Sequence, residues 1–365
     1  MKKLKLLIVI GTRPNFIKVT QFRRLVADFP SVSMTMVHTG QHFDEKMADV
    51  FFRQFGMQPD FFLNIGPGSP TYQVAQIMLK LEIFLIEHKP DLVMVVGDVN
   101  STLAAALCAN KCGIKIAHLE SGLRSGDMEM PEEINRILTD KISSFFFVTE
   151  PSGIHNLKQE GITNNVFMVG NTMIDTMLAF EKDIQGVDLQ KAVSLSAANN
   201  IVLMTIHRPS NVDSEKGLKK LVALIQALAA KYQVVFPVHP RTRKNMESSG
   251  LLNGLEKNRN LVLCEPLDYF TFQKLITVAS FVITDSGGIQ EETTFRKVPC
   301  ITLRNNTERP VTVEIGTNVL AHFDNEEIFR IIAEIESGAF KKGNVPDLWD
   351  GKATNRILKI LSEQF

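Results

Sequence analysis

The stretch FVITDSGGIQEE, Phe281 to Glu292, joins a short apolar run to a glycine-paired turn and then to a segment of helical character. A strand, a tight turn and a helix in this order form one βα unit of an α/β protein. Backbone N–H groups at such a helix N-terminus favour phosphate, because they are unpaired and the helix dipole attracts negative charge. The turn at Ser286, Gly287 and Gly288 therefore indicates a phosphate site. A simple helix cap by Ser286 explains the same residues equally well.

Short apolar runs alternate with amphipathic segments along the rest of the chain, and a polar stretch near residues 183–200 interrupts the pattern once. The predicted strands are Leu4–Ile10, Ser33–His38, Asp91–Val96, Ile114–His118, Phe145–Val148, Val166–Val169, Ile201–Ile206, Val234–Val238, Leu261–Cys264, Phe281–Thr284 and Cys300–Leu303. Such alternation predicts parallel sheets with helices on both faces. A chain of 365 residues is long for one core, so we expect an α/β protein with two doubly wound, Rossmann-like domains.

The domain junction is expected just after the strand that ends near Gly170. Residues 1–170 then form the N-terminal domain, and residues 171–350 form the C-terminal domain, with the helix that opens at Asn171 as part of the hinge. In residues 351–365, the apolar side chains of Ile357, Leu358 and Leu361 form one helical face. We expect this last helix to pack back on the N-terminal domain.

Composition excludes several classes of function. The chain carries 40 Lys and Arg against 40 Asp and Glu, for a formal net charge of zero, so no overall basic field attracts nucleic acid or an anionic membrane. The apolar run Leu6–Ile10 is too short for a signal peptide or a membrane span. The four cysteines show neither paired spacing nor clustered histidines, which indicates free thiols, no metal site and a cytoplasmic location.

Ligands of open α/β sheets bind at the carboxyl ends of the strands, so polar residues at those ends are the candidates for a site. Arg13 and Lys18 lie at the start of a helix, where a cation is unfavourable unless an anion binds there too. Asp98 ends another strand, and capping of the next helix is its commoner role. His207 follows a strand directly and could donate to phosphate or carry a proton.

Two carboxylate pairs accompany these residues. Glu120 precedes Arg124 by four positions, and Glu132 precedes Arg136 by the same spacing, which is typical of ordinary salt bridges. Three carboxylates that follow neighbouring strands, together with a phosphate turn, nevertheless favour an acid–base site.

Ten motifs, in this order, make the chain closely similar to the bacterial non-hydrolysing UDP-N-acetylglucosamine 2-epimerases. They are GTRPNFIK, GQHFD, GDVNSTL, HLESGLRSGD, MPEEINR, TIHRPSN, FPVHPRT, EPLDYF, DSGGIQEE and TERP. The resemblance runs along nearly the whole chain. It implies the two-lobed GT-B fold, with the active site in the interdomain cleft.

The resemblance also implies roles for single residues. Ser286, Gly287 and Gly288 would hold the diphosphate, and Glu292 would accept hydrogen bonds from the ribose. The residues that would reach the nucleotide or surround the sugar are Arg13, Lys18, Asp98, Glu120, Glu132, Arg136 and His207, while Tyr269 and Phe272 would enclose uracil. Some relatives bind a second UDP-GlcNAc as activator with residues that match Gln41, His42 and His239.

The implied reaction interconverts UDP-GlcNAc and UDP-ManNAc, for cell-surface polysaccharide precursors, in a homodimer that needs no cofactor. UDP leaves C1, 2-acetamidoglucal forms, and the proton and UDP return. We favour Asp98 and Glu132 as the proton-handling pair, with Glu120 in a positioning role. The alternatives are a hydrolysing epimerase, an epimerase for a diacetamido uronic acid nucleotide, for which Arg304 and Arg309 are available cations, and a GT-B glycosyltransferase or UDP-sugar sensor.

Overall fold

The computed structural model describes residues 3–40, 52–193, 195, 200–252, 254–255 and 258–365. The chain forms two compact units, of which the first comprises Met1–Ala179 with Asp347–Phe365 and the second comprises Phe180–Pro346. The first unit extends beyond Gly170, because the helix Thr172–Ala179 belongs to it.

The first unit contains a seven-stranded sheet in the order β3-β2-β1-β4-β5-β6-β7, with every pairing parallel. Its strands are β1 (Leu4–Ile10), β2 (Val32–His38), β3 (Phe61–Phe62), β4 (Leu92–Val96), β5 (Lys115–Leu119), β6 (Phe145–Val148) and β7 (Val166–Met168). Its α-helices are Arg13–Leu25, Pro70–His88, Asn100–Lys111, Pro131–Ile142, Pro151–Gln159, Thr172–Ala179 and Ala353–Gln364.

The second unit contains a six-stranded parallel sheet in the order β10-β9-β8-β11-β12-β13. Its strands are β8 (Ile201–Thr205), β9 (Gln233–Pro237), β10 (Leu261–Cys264), β11 (Ala279–Thr284), β12 (Cys300–Leu303) and β13 (Asn318–Ala321). Its helices are Glu181–Gln185, Leu189–Val193, Pro209–Val212, Glu215–Ala229, Pro240–Ser248, Tyr269–Val278, Gly287–Arg296, Pro310–Glu314 and Asn325–Glu336. The prediction of two doubly wound α/β domains is confirmed.

The apolar runs become strands because both of their faces are buried. In β8, Val202 and Met204 pack in one apolar cluster, while Ile201 and Leu203 pack in the cluster on the other face of the sheet. Successive side chains of a strand point to opposite faces, so a fully covered strand needs a continuous apolar run. Every predicted strand is present, and β3 and β13 were not predicted.

The last helix of the chain is anchored within the first unit. The Asp175 carboxylate accepts hydrogen bonds from the backbone N–H groups of Ala353 at 3.1 Å and Thr354 at 2.6 Å. A carboxylate from another helix thus caps the N-terminus of Ala353–Gln364. None of the helices in the described part of the chain is both long and apolar enough to cross a membrane.

Each sheet has one point where the strand order reverses, between β1 and β4 in the first unit and between β8 and β11 in the second. Connections on either side of such a point leave in opposite directions, so a crevice opens at the carboxyl ends of the two strands. The fold therefore directs attention to the residues that follow β1, β4, β8 and β11.

Candidate active site

An ion pair between Lys18 and Glu120 lies at the switch point of the first sheet. Lys18 comes from the helix after β1, Glu120 follows β5, and both side chains are buried. The Lys18 amine lies only 3.3 Å from the place where a Cβ on Gly97 would stand. The cation therefore reaches the turn that carries Asp98, and a side chain at position 97 would disturb it.

Asp98 directly precedes Val99, the N-cap position of the following helix. The Asp98 carboxylate accepts a hydrogen bond of 2.5 Å from Arg136 Nη2. The Asn135 side chain also donates to the Asp98 carbonyl oxygen at 2.8 Å. Both contacts come from the helix Pro131–Ile142, which holds Asp98 at the sheet edge.

The predicted salt bridge between Glu132 and Arg136 is wrong. Glu132 is exposed, whereas the neighbouring Glu133 is buried and accepts a hydrogen bond of 2.7 Å from Arg136 Nη1. Both carboxylate oxygens of Glu133 also accept the Ser125 N–H at 2.9 Å. Glu133 therefore orients Arg136, and Glu132 remains exposed at the start of the helix.

Glu120 and Arg124 do not pair with each other either, because each has a different buried partner. Arg124 contacts Asp140 at 2.8 Å and Glu160 at 2.7 Å, while Glu120 pairs with Lys18. Glu120 adopts a left-handed backbone conformation, with φ of 70°, which is uncommon for a residue other than glycine and is typical of functional sites.

Arg13 occupies the first position of the helix Arg13–Leu25 and is half-buried. That helix has no acidic residue in its first turn, and Thr12 at the N-cap forms no side-chain capping bond. Gly11 precedes the helix at a position with no room for a side chain, since a Cβ there would stand 2.0 Å from Ser101 Oγ. The loop after β1 thus presents a cation and a helix N-terminus together, as the sequence indicated.

In the second unit, the Ser286 turn opens the helix Gly287–Arg296 without a side-chain cap. Ser286 stands at the N-cap position, but its hydroxyl forms no capping hydrogen bond, and its own N–H donates to Thr284 Oγ1 at 3.0 Å. The cap-only interpretation of Ser286 is therefore wrong. No Ser286 side-chain bond caps the N-terminus of this helix, so its first N–H groups are suited to bind an anion.

A buried ion-pair network lies directly against this turn. Arg309 contacts Glu308 and also Glu291, the latter at 2.9 Å, and Arg304 contacts Glu308 at 2.7 Å. A Cβ on Gly287 would stand 2.6 Å from Glu308 Oε1 and 2.7 Å from Arg309 Nη1. The TERP motif and the Ser-Gly-Gly turn thus form one packed structure, which requires glycine at position 287.

His207 is held by Asp285, and the two residues follow the two strands of the second switch point. The Asp285 carboxylate lies 3.0 Å from His207 Nδ1 and accepts the backbone N–H groups of His207 at 3.0 Å and Arg208 at 2.8 Å. Burial alone would raise the pKa of Asp285, but the hydrogen bond and charge of His207 and the Arg208 N–H lower it. The His207 side chain is half-exposed. Because its Nδ1 faces Asp285, its Nε2 points away from that carboxylate.

Glu292 is buried in the helix Gly287–Arg296, beside Tyr269. Burial raises the pKa of Glu292 to about 8, and the charge of Glu291 adds to the rise, while Gln273 opposes it. Tyr269 is buried, and burial likewise raises the pKa of its phenol.

Phe272 packs at the edge of the apolar cluster around Leu275 and Ile276. The structure thus brings the Glu292 carboxyl close to Tyr269, whereas Phe272 forms part of the core.

The residues predicted for a second nucleotide are only partly described. Gln41 and His42 lie outside the described residues. His239 is exposed, caps the helix Pro240–Ser248 through Nδ1 at 3.2 Å from the Arg241 N–H, and has its ring centroid 5.3 Å from that of His207. Among the side chains that the structure describes, no group of three or more His, Cys, Asp or Glu is placed to hold a metal ion.

Sequence reasoning missed three residues that organise the site, namely Glu133, Asn135 and Asp285. Asp285 directly follows β11, so the rule that selected Asp98 would also have selected it. Glu133 and Asn135 lie inside the helix Pro131–Ile142, where the sequence does not tell which side chains face the sheet edge.

Comparisons with known proteins identify the family of the chain. The model of the family described as UDP-N-acetylglucosamine 2-epimerase matches residues 25–362. A UDP-N-acetylglucosamine 2-epimerase of Methanocaldococcus jannaschii is 40% identical over 366 residues, which cover 98% of this chain and 99% of the relative. A UDP-2,3-diacetamido-2,3-dideoxy-D-glucuronate 2-epimerase of Pseudomonas aeruginosa is 38% identical, over 99% of this chain and 100% of the relative.

The fold is also similar to solved structures. The crystal structure of the Methanocaldococcus jannaschii UDP-GlcNAc 2-epimerase, in complex with UDP-GlcNAc and UDP, has a TM-score of 0.90 and 39% sequence identity. The match covers 99% of this chain and 100% of that chain.

Proposed function

Because the chain belongs to the UDP-N-acetylglucosamine 2-epimerase family, we propose that it interconverts UDP-GlcNAc and UDP-ManNAc without net hydrolysis. The observation that carries this proposal is the pair of cation-held carboxylates at the first switch point, Asp98 with Arg136 and Glu120 with Lys18. A protein that only bound or sensed the nucleotide sugar would need the phosphate turn but no such carboxylates.

The C2 hydrogen of the sugar is not next to a carbonyl group, so an ordinary side chain cannot remove it as the substrate stands. Breaking the bond between C1 and the diphosphate oxygen develops positive charge beside C2 and makes that hydrogen acidic. Loss of the proton then gives 2-acetamidoglucal and UDP. Return of a proton to the opposite face of C2, with the diphosphate oxygen adding to C1, gives the epimer.

The leaving diphosphate needs donors and cations, and the second unit offers them. We assign the diphosphate to the turn of Ser286, Gly287 and Gly288, with His207 as a donor or proton carrier oriented by Asp285. We also assign Arg13, at the start of its helix, to the nucleotide. Preorganised donors of this kind are usually the largest contribution to catalysis of charge-developing steps. We assign Glu292 as the acceptor of hydrogen bonds from the ribose hydroxyls.

Proton transfer on the two faces of the sugar requires two groups. We assign these roles to Asp98 and Glu132, with Glu120 positioning the sugar through its contact with Lys18. The Arg136 guanidinium donates to the Asp98 carboxylate and orients it. The exposed position of Glu132 gives it access to a bound ligand.

An epimerase for the diacetamido uronic acid nucleotide is the second candidate, favoured by the 38% identity to the Pseudomonas relative. Such a substrate carries a carboxylate at C6 and needs a cation for it. Arg304 and Arg309, the two cations considered for that task, are both buried and paired with Glu308, and Arg309 also with Glu291. Their positive charge is already balanced, which supports the substrate with a neutral C6 hydroxyl.

Product analysis tests the proposal. Purified protein incubated with UDP-GlcNAc alone, without acceptor or cofactor, is expected to yield a stable mixture of UDP-GlcNAc and UDP-ManNAc by anion-exchange chromatography. Free UDP with free N-acetylmannosamine as the main products would establish hydrolysis instead. Turnover of the diacetamido uronate with none of UDP-GlcNAc would establish the second candidate.

A cytoplasmic homodimer is the form in which we expect the enzyme to act. Its four cysteines are all free thiols, which fits a reducing compartment. Leu79, Ile83 and Ile86 are largely exposed on one face of the helix Pro70–His88, and an exposed apolar stripe is typical of an interface. Light scattering is expected to give about twice the chain mass of 40.9 kDa, and a monomeric mass would contradict the dimer.

A further inference from the structure

The turn of Gly97 and Asp98 is clamped at each of its backbone carbonyl groups by a side chain. His118 Nε2 lies 2.8 Å from the Gly97 oxygen, and Asn135 Nδ2 donates to the Asp98 oxygen at 2.8 Å. The Gly97 N–H itself donates to the Leu119 oxygen at 2.9 Å. Two consecutive peptide planes that carry a candidate proton-transfer residue are thus fixed from outside the turn.

Each ring nitrogen of His118 contacts one acceptor. His118 Nδ1 lies 2.6 Å from an oxygen of Asp140, and a backbone carbonyl such as that of Gly97 can only accept. Burial by itself raises the pKa of Asp140, but His118 and Arg124 lower it, so the carboxylate stays ionised and accepts. His118 is therefore fully buried between the Asp140 carboxylate and the Gly97 carbonyl, with one ring nitrogen facing each of them.

Stability alone does not explain the buried hydrogen-bonded pair of His118 and Asp140. Replacement of two buried hydrogen-bonding partners by apolar side chains of the same shape can be nearly neutral or stabilising, because the bond lost in the protein is regained with water in the unfolded chain. The pair here has one contact that a purely structural pair would not need, the donation by Nε2 to the peptide that precedes Asp98. That contact fixes the peptide plane from which Asp98 extends.

We propose that His118 and Asn135 are positioning residues for the epimerase reaction, which hold Asp98 in the geometry for proton transfer at C2. Neither residue takes or gives a proton to the sugar. His118 acts through the Gly97–Asp98 peptide, with Asp140 fixing the orientation of its ring. The inference rests on the proposed function, since it concerns the same reaction and the same carboxylate.

Two conservative substitutions at position 118 separate positioning from structure. The amide of Asn reaches about as far as Nδ1, so His118→Asn keeps a donor toward Asp140 and loses the one toward Gly97. The amide of Gln reaches about as far as Nε2, so His118→Gln keeps the donor toward Gly97. Both variants replace the imidazole ring by an amide and lose one of its two contacts, and a merely structural role predicts similar losses for both.

The expected result is a difference in kcat. His118→Asn should lower kcat by about 100-fold, the cost typical of a misplacement near 1 Å, whereas His118→Gln should stay within about tenfold of the unaltered enzyme. KM for UDP-GlcNAc and Kd for UDP should change little in either variant. The same pair of substitutions at His155, which is exposed on the helix Pro151–Gln159, is the matched control.

A second position keeps the test decisive if His118→Asn does not fold. Asn135→Ala removes the donor to the Asp98 carbonyl oxygen from a different element, and should lower kcat by about tenfold with KM unchanged. Equal kcat for folded His118→Asn and His118→Gln, or an unaltered kcat for Asn135→Ala, would overturn the positioning roles. Absence of any turnover of UDP-GlcNAc by the unaltered enzyme would instead overturn the proposed function, so the two failures are distinguishable.

Discussion

Gly287→Ala is the substitution that most directly tests the packed phosphate turn. The added methyl would stand 2.6 Å from Glu308 Oε1, 2.7 Å from Arg309 Nη1 and 3.3 Å from Arg309 Cζ. The side chains of Glu308 and Arg309 are both buried. Arg309 forms ion pairs with Glu308 and with Glu291. They cannot move aside without weakening those pairs.

Two opposing effects set the size of the change. Alanine is favoured over glycine inside a helix by up to about 1 kcal/mol, and overpacking of a close-packed site costs about 1–3 kcal/mol. The net expectation is a loss of about 1–2 kcal/mol of unfolding free energy. A domain of this size loses about 2–4 °C in Tm per kcal/mol. Displacement of the helix N-terminus should also weaken UDP binding about tenfold, which corresponds to about 1.4 kcal/mol.

Calorimetric titration with UDP and thermal melts measure the two effects. Gly254→Ala is the matched control, because a Cβ at that exposed glycine meets no atom within 4 Å, and it should alter neither quantity. If Gly287→Ala bound UDP within twofold of the unaltered protein and melted at the same temperature, the packing of TERP against the turn would not support nucleotide binding.

Three further predictions address single side chains. Asp98→Asn should slow exchange of the C2 hydrogen by at least about 100-fold and leave Kd for UDP unchanged; retained exchange would remove Asp98 from proton transfer. Glu292 has a folded-state pKa of about 8 against 4.5 for the ordinary group, so the unfolding free energy should fall as pH rises through this window. Glu292→Gln should flatten that dependence in urea denaturation at a series of pH values, and a wild-type stability that rises over the window would refute the assignment. Asp175→Ala removes the acceptor for the N–H groups of Ala353 and Thr354 and should cost about 1–2 kcal/mol of unfolding free energy, which an unchanged urea midpoint would contradict.

The sheets could be predicted from the sequence because their strands are buried on both faces. A run such as that of Leu4–Ile10 is apolar at nearly every position, which leaves little choice of local structure. β3 was missed because it has only two residues. β13 was missed because it begins with Asn318, whose buried amide is satisfied by Gln290 and Thr302 at a distance in sequence.

The sequence predicts those parts of the candidate site that depend on a residue and its immediate neighbours in the chain. The Ser286 turn and the strand-end position of Asp98 are local features. The partner of His207 is not local, since Asp285 lies 78 positions away. The choice between Glu132 and Glu133 depends on helical phase, because neighbouring positions differ by about 100° around a helix axis. Only packing of the helix Pro131–Ile142 decides that Glu133 faces inward.

Proton NMR of the protein with UDP-GlcNAc in D₂O, without acceptor or cofactor, tests the central claim most directly. Removal of the C2 proton and its return from solvent predict deuterium at C2 of UDP-ManNAc, and also of UDP-GlcNAc recovered at equilibrium. UDP-ManNAc that retained the original hydrogen at C2 would contradict proton transfer by the carboxylates at the first switch point.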